Sequence, residues 1–186
     1  MAKNIFMSAT QLLAIMIILS ISGLALNSWS KDPDISFFYS NHSVIYTLRT
    51  TMNADRACKV DYVNQTTTDH TEFRRVYVQE SNSPYEDIWG IFINMDRTKD
   101  SPPYNGMVLS IQPGGMNKTI EELLHVFGNS LCGVFAIYPI TVVGVFYELR
   151  VKTPVIASVS EECVKEFLKV AGTPNNTRTC ALKIQQ

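Results

Sequence analysis

The segment Val145-Phe146-Tyr147-Glu148-Leu149-Arg150-Val151-Lys152, followed closely by residues 158–171, carries the decision about the fold. The first stretch is β-branched and aromatic, a composition that suits a strand. Side chains alternate between the two faces of a strand. Tyr147, Leu149 and Val151 therefore share one apolar face, and Phe146, Glu148 and Arg150 share the other. The second stretch changes period: Val164, Phe167, Leu168 and Ala171 recur at helical spacing. Ser158 or Ser160 can cap this helix, Glu161 and Glu162 fall in its first turn, and Gly172 with Pro174 stops it. The apolar strand face suits contact with the helix, which leaves Glu148 and Arg150 facing inward. Cys132, on a neighbouring strand, can reach Cys163 on the helix if it points outward. Gly133, Phe135 and Ile137 are then inward.

Further strand-like runs precede this pair at 44–51, 58–63, 73–79, 88–94, 107–111, 123–127 and 132–138. Turn signals such as Asn82-Ser83-Pro84, Pro102-Pro103 and Pro113-Gly114-Gly115 separate them. Eight short strands at even spacing indicate an antiparallel barrel or sandwich. Residues 33–40 read as one or two helical turns, with Asp34 at the start. The 186-residue chain is 46% apolar and 18% charged, with a formal net charge of −1. That composition excludes a disordered chain and argues against nucleic-acid binding, which needs a basic excess.

Lys3, the apolar run around residues 12–24 and the small residues Gly23 and Ala25 read as a secretory signal peptide over residues 1–25. Residues 26–186 then form a single secreted domain with no membrane span after cleavage. Behind such a leader, Cys58, Cys132, Cys163 and Cys180 read as two disulfides, and sequence alone allows three pairings. Sequons at Asn41, Asn64, Asn117 and Asn175 mark expected N-glycosylation at the surface. His42, His70 and His125 lack metal spacing, and Ser110 and Ser130 lack a nucleophile's context. Glu121-Glu122 reads as a solvated pair and Arg74-Arg75 as a short basic pair. No cofactor and no enzymatic activity are expected.

One late helix after eight strands is the order of a lipocalin, a closed eight-stranded antiparallel barrel that holds a ligand, with the helix packed outside. Three groups of residues sharpen this. They are Phe37-Phe38-Tyr39 with Ile45-Tyr46-Thr47-Leu48-Arg49-Thr50-Thr51 and Cys58-Lys59-Val60-Asp61; Cys132-Gly133-Val134-Phe135 with Tyr147-Glu148-Leu149-Arg150-Val151 and Cys163; and the late Cys180. Together they resemble the salivary lipocalins of ticks, the histamine-binding protein family. The resemblance implies the pairings Cys58–Cys180 and Cys132–Cys163, and sequestration of a small host mediator by a monomer secreted in saliva.

Amine-binding members carry an aspartate where Gly133 stands and an aromatic where Arg150 stands; Glu148 is kept. With one acid lost and a cation added, the favoured ligand is an apolar anionic lipid, a fatty acid or a leukotriene. Arg150 would hold its carboxylate, beside Glu148 and the apolar side chains of Phe146, Phe135, Ile137, Tyr46, Trp89 and Phe38. In another reading Glu148 and Arg150 neutralise each other inside a filled barrel. A histamine or serotonin trap would need Glu148 free and a further acid, such as Asp61, Asp87 or Asp96. A third class, a binder of a host defence protein, would use rim loops 80–87 and 99–106.

Overall fold

The computed structural model describes residues 33–54, 56–79, 83–153, 159–172 and 174–180. The leader expected at residues 1–25, Trp29 and the alternative cap Ser158 lie outside the described residues. A single-turn helix, α1 (Ile35–Phe38), precedes eight strands. These are β1 (Val44–Thr50), β2 (Lys59–Thr66), β3 (His70–Tyr77), β4 (Tyr85–Ile93), β5 (Gly106–Ser110), β6 (Thr119–Phe127), β7 (Cys132–Pro139) and β8 (Phe146–Lys152). Helix α2 (Glu161–Ala171), a 3₁₀ turn (Pro174–Asn176) and the short β9 (Arg178–Thr179) follow. Each strand from β1 to β8 pairs antiparallel with the next, and β8 returns to β1 through Tyr46↔Val151 and Thr47↔Arg150. The sheet is thus a closed barrel, which leaves no long edge to aggregate. Strand β9 adds to β1 at Arg49↔Thr179.

Every expected strand forms. Strands β3, β4 and β6 begin earlier than their apolar pattern suggests, at His70, Tyr85 and Thr119. The pairs Thr71↔Gly90 and Glu72↔Trp89 account for β3, Arg75↔Glu86 and Val76↔Tyr85 for β4, and Thr119↔Pro139 for β6. A ladder continues as long as opposite backbone groups satisfy each other, whatever the side chains are.

Strand parity divides the apolar residues into two layers. Ile45, Val63, Phe73, Ile88, Leu109, Leu123, Phe135 and Ile137 fill the inside. Cys132, Val134, Leu149 and Val151 point outward and pack against Cys163 and Phe167 of α2. Ser160 caps α2, its hydroxyl accepting from the Cys163 amide at 3.2 Å, and Gly172 (φ 81°) ends it. Of the three possible pairings the structure has Cys132–Cys163, which ties α2 to the barrel wall, and Cys58–Cys180, which ties the late chain to the start of β2. Each bridge contributes roughly 2–4 kcal/mol by limiting the unfolded chain.

Helix α1 closes one end of the barrel. Asp34 caps it, accepting from the Ser36 amide at 3.0 Å. Ile35, Phe38 and Tyr39 are fully buried, and the Phe38 ring meets Phe135 edge-on at 5.1 Å. In an up-and-down barrel successive hairpins alternate between the two ends. The connection 94–105 lies at the closed end, where the Ile35 amide donates to the Tyr104 carbonyl at 2.8 Å. Tyr77 and Tyr85, where β3 ends and β4 begins, lie at the opposite, far end. Of the rim loops considered, 80–87 and 99–106, residues 80–82 lie outside the described residues, and residues 85–87 and Gly106 belong to strands.

Lys152 lies under α1. It is buried and donates to the Phe37 carbonyl (2.9 Å) and the Ser40 hydroxyl (3.2 Å), with its ammonium 5.3 Å from the Phe38 ring centre. Burial pulls its pKa down from 10.5 to about 8. Between those two values the unfolded chain binds the proton more tightly than the folded chain. The Lys152 contribution to stability therefore rises as pH climbs through that window, and the penalty is present in full below it. The expected result is that wild type gains on Lys152→Met by up to ~3 kcal/mol between pH 8 and pH 10.5. Urea midpoints of the two proteins at both pH values check it; a constant difference would show that the folded chain holds the Lys152 proton as tightly as the unfolded chain, so that burial does not lower its pKa.

Candidate functional site: a charged layer inside the barrel

The inward positions of four strands carry ionised groups. Lys59 and Asp61 come from β2, Arg75 from β3, Glu121 from β6, and Glu148 with Arg150 from β8; all are buried. Arg150 lies between two acids. Its Nη2 donates to Glu148 Oε2 at 2.5 Å and its Nη1 to Glu121 Oε2 at 2.5 Å. Arg75 reaches the other oxygen of Glu121 at 2.8 Å and grips Asp61 through two bonds of 2.7 and 2.8 Å. Lys59 donates to Glu148. Tyr39 completes the circuit, donating to Asp61 Oδ2 at 2.8 Å and accepting from Arg150 Nη1 at 2.5 Å. The Arg150 guanidinium also lies 4.5 Å over the Phe135 ring.

The three carboxylates and three cations balance. Burial opposes both guanidinium charges, but the acids overcome it and raise Arg75 and Arg150 well above the ordinary arginine value. Burial also opposes the Glu121 charge; Arg150 and Arg75 win, holding its carboxyl far below the usual range. For Lys59 burial prevails over the attraction of Glu148, and its pKa is lowered. Among the described residues no buried side-chain nitrogen or oxygen lacks a partner.

The structure brings together Glu148, Arg150, Phe135, Ile137 and Phe38 from the expected set, with Phe146 half-buried beside the same interior cluster. Two expected wall residues are outside. Tyr46 pairs with Val151 and packs in the outer cluster near α2. Trp89 stacks on His70 at 4.0 Å, and its neighbour Gly90 is the residue that packs inward, beside Leu109 and Met107. One-residue alternation decides both cases, since Ile45 and Ile88 hold the inner places. Of the further acids considered, Asp61 is inside, Asp87 is on the outer face paired with Arg74, and Asp96 is in an exposed loop.

Glu121 is not solvated, and Arg75 does not form an exposed pair with Arg74; they meet inside the barrel. Parity carried the signal: Arg75 alternates with Phe73, and Glu121 with Leu123. Lys59 alternates with Asp61 and the interior Val63 in the same way, whereas Tyr39 had no such marker, because its role depends on the approach of α1.

Gly133 also finds its reason here. A Cβ at this position would lie 2.8 Å from Phe38 Cε2, 2.9 Å from Phe135 Cε2 and 3.0 Å from Leu123 Cδ1. The α1 plug occupies the space that a side chain at position 133 would need. At the far end the β7–β8 loop exposes Ile140, Val142, Val143 and Val145, above half-buried Phe146. Nearby, Glu86 accepts from Lys118 (3.0 Å), Tyr77 (3.0 Å) and Arg56 (3.4 Å).

No protein-family model matches this chain, and no curated protein matches it. Solved structures do match. The serotonin complex of AM182 has a TM-score of 0.60 at 15% identity, covering 86% of this chain and 96% of that one. The siderocalin Ex-FABP, with dual ligand specificities, has a TM-score of 0.55 at 9% identity, covering 77% and 91%. Japanin from Rhipicephalus appendiculatus, bound to cholesterol, has a TM-score of 0.54 at 10% identity, covering 83% and 100%. With its closed eight-strand barrel, the short helix at one end and the long helix outside, this chain has the lipocalin fold.

Proposed function

We propose that this chain is a secreted, monomeric lipocalin that sequesters a small apolar mediator at the far end of its barrel, without catalysis. The observation that carries this reading is a contrast inside one barrel. Ile140, Val142, Val143 and Val145 stand exposed at the far end, while the charged layer beneath is balanced and each of its buried polar atoms has a partner. An apolar body entering there gains about 25 cal/mol per Å² of surface removed from water. A charged group carried down to the layer would have to break an existing pair, which is costly in a dry interior. Arg150, committed to Glu121 and Glu148, is therefore not the anchor. A fatty acid or leukotriene-like ligand would keep its carboxylate at the mouth, and a biogenic amine would find Glu148 held by Lys59 and Arg150. The cysteine frame supports placement with the salivary lipocalins of ticks. The ligands of the similar structures, serotonin and cholesterol among them, support small-molecule sequestration in general.

Native mass spectrometry of the secreted protein tests this with arachidonate, arachidonyl alcohol, a leukotriene, histamine and serotonin. The expected result is one-to-one retention of the lipids, with the acid and the alcohol held alike and neither amine retained. Retention of an amine would overturn the reading of Glu148. No adduct, with both disulfides intact, would overturn sequestration and favour a host-protein partner.

A further inference from the structure

Outside the barrel, a groove of about 850 Å³ runs across β2, β3 and β4 to the turn at Ile111, Gln112 and Pro113. Tyr62, Asn64, Arg74, Asp87, Trp89 and Ile111 line it. Tyr62 is 45% exposed and Ile111 56% exposed, so both present apolar surface to the groove. Asn64 is also exposed and begins the sequon Asn64-Gln65-Thr66. It sits at a bulge: β2 pairs Val63 with Phe73 and Gln65 with Glu72, skipping Asn64. A bulge leaves its extra residue out of the ladder and re-aims it.

We propose that this groove seats the N-acetylglucosamine core of an N-linked glycan on Asn64, packed against Tyr62 and Trp89. The proposal rests on the secretory reading of the leader. Its chemistry is that of a pyranose, with an apolar C–H face and a polar edge of hydroxyls and acetamide. Tyr62, two residues before Asn64 on the same strand, and Trp89, whose ring is backed by His70 at 4.0 Å, supply flat apolar surfaces. Arg74 and Asp87, paired at 2.8 Å beside them, supply donors and acceptors for the polar edge. The occupant is part of this chain, which gives it a high effective concentration at the groove. The hydroxyl of Thr66 is held by the Tyr39 carbonyl and by Thr71, so attachment has to precede folding.

The test uses the full chain secreted from insect cells, with glycopeptide mapping and thermal unfolding. Asn64 should be occupied, and Asn64→Gln should lower the melting temperature by about 3 °C, a shift typical of ~1 kcal/mol in a chain of this size. Asn117→Gln should leave it unchanged. In Trp89→Ala or Tyr62→Ser backgrounds the Asn64→Gln shift should shrink, because residues in contact are not additive. The Tyr62 variant serves if Trp89→Ala fails to fold. Glycans at other sequons with Asn64 empty would overturn the seat alone. So would full additivity of Asn64→Gln with both aromatic substitutions. No glycan at any sequon would overturn the secretory reading together with the proposal.

Discussion

Arg150→Met is expected to lower stability at pH 7 by about 3–5 kcal/mol, the range for breaking a buried ion pair by removing one partner. The substitution keeps most of the volume but strips Glu121 and Glu148 of the one cation they share. Two cations, Lys59 and Arg75, would then face three carboxylates. The sign of the pH dependence follows. In wild type Glu121 has a depressed pKa, so its stabilisation is present above the ordinary glutamate value and is lost as pH falls. In the variant one carboxyl must take up a proton, so its pKa is raised and the deficit grows as pH rises. Urea midpoints at pH 5 and pH 7 check both points. The variant should lie closer to wild type at pH 5. A deficit below about 1 kcal/mol at pH 7, the scale of an exposed pair, would show that the layer is wet rather than buried.

Gly133→Asp is expected to be the other severe substitution. Its Cβ would sit 2.8 Å from the Phe38 ring, so the α1 plug must move or the strand must bend. Overpacking of this kind costs about 1–3 kcal/mol, and Gly133→Ala measures that part alone. The aspartate adds the burden of a buried carboxylate beside Phe38, Phe135 and Leu123. Phe38→Ala is itself destabilising, but in its background Gly133→Ala should cost less than in wild type, because the space the new methyl needs is already vacated. Thermal or urea unfolding of the three variants decides the matter; a neutral Gly133→Ala would mean that the plug does not rest on Gly133. The expectation extends to ligands. Restoring an aspartate here should not create an amine trap, because the position faces the plug rather than open space.

The two substitutions share a cause: this barrel closes its helix-bearing end with aromatic rings and crosses its interior with paired charges. The far end exposes Ile140, Val142, Val143 and Val145 instead. A buried balanced layer of this kind is weak evidence for stability, since apolar residues could replace it. Its firmer consequence, under the proposed function, is to select which ligands could approach.

The alternation within β8 and the helical period of α2 determined which face of the last strand meets the helix. The same alternation in β7 brought Cys132 out to Cys163 and left Gly133, Phe135 and Ile137 inside. Eight strands and one late helix were legible because each is a local pattern of side chains against water. The inward direction of Glu148 and Arg150 was legible for the same reason. Their partners were not. Asp61, Arg75 and Glu121 come from strands far along the chain, and only barrel closure brings their charges within reach of Arg150 and Tyr39. Tyr46 and Trp89 went the other way, each displaced by an apolar neighbour one residue off that took the inner place. Alternation is a property of one strand and can be read from its sequence. Neutralisation is a property of several strands at once, and tertiary structure alone decided which charge answers which.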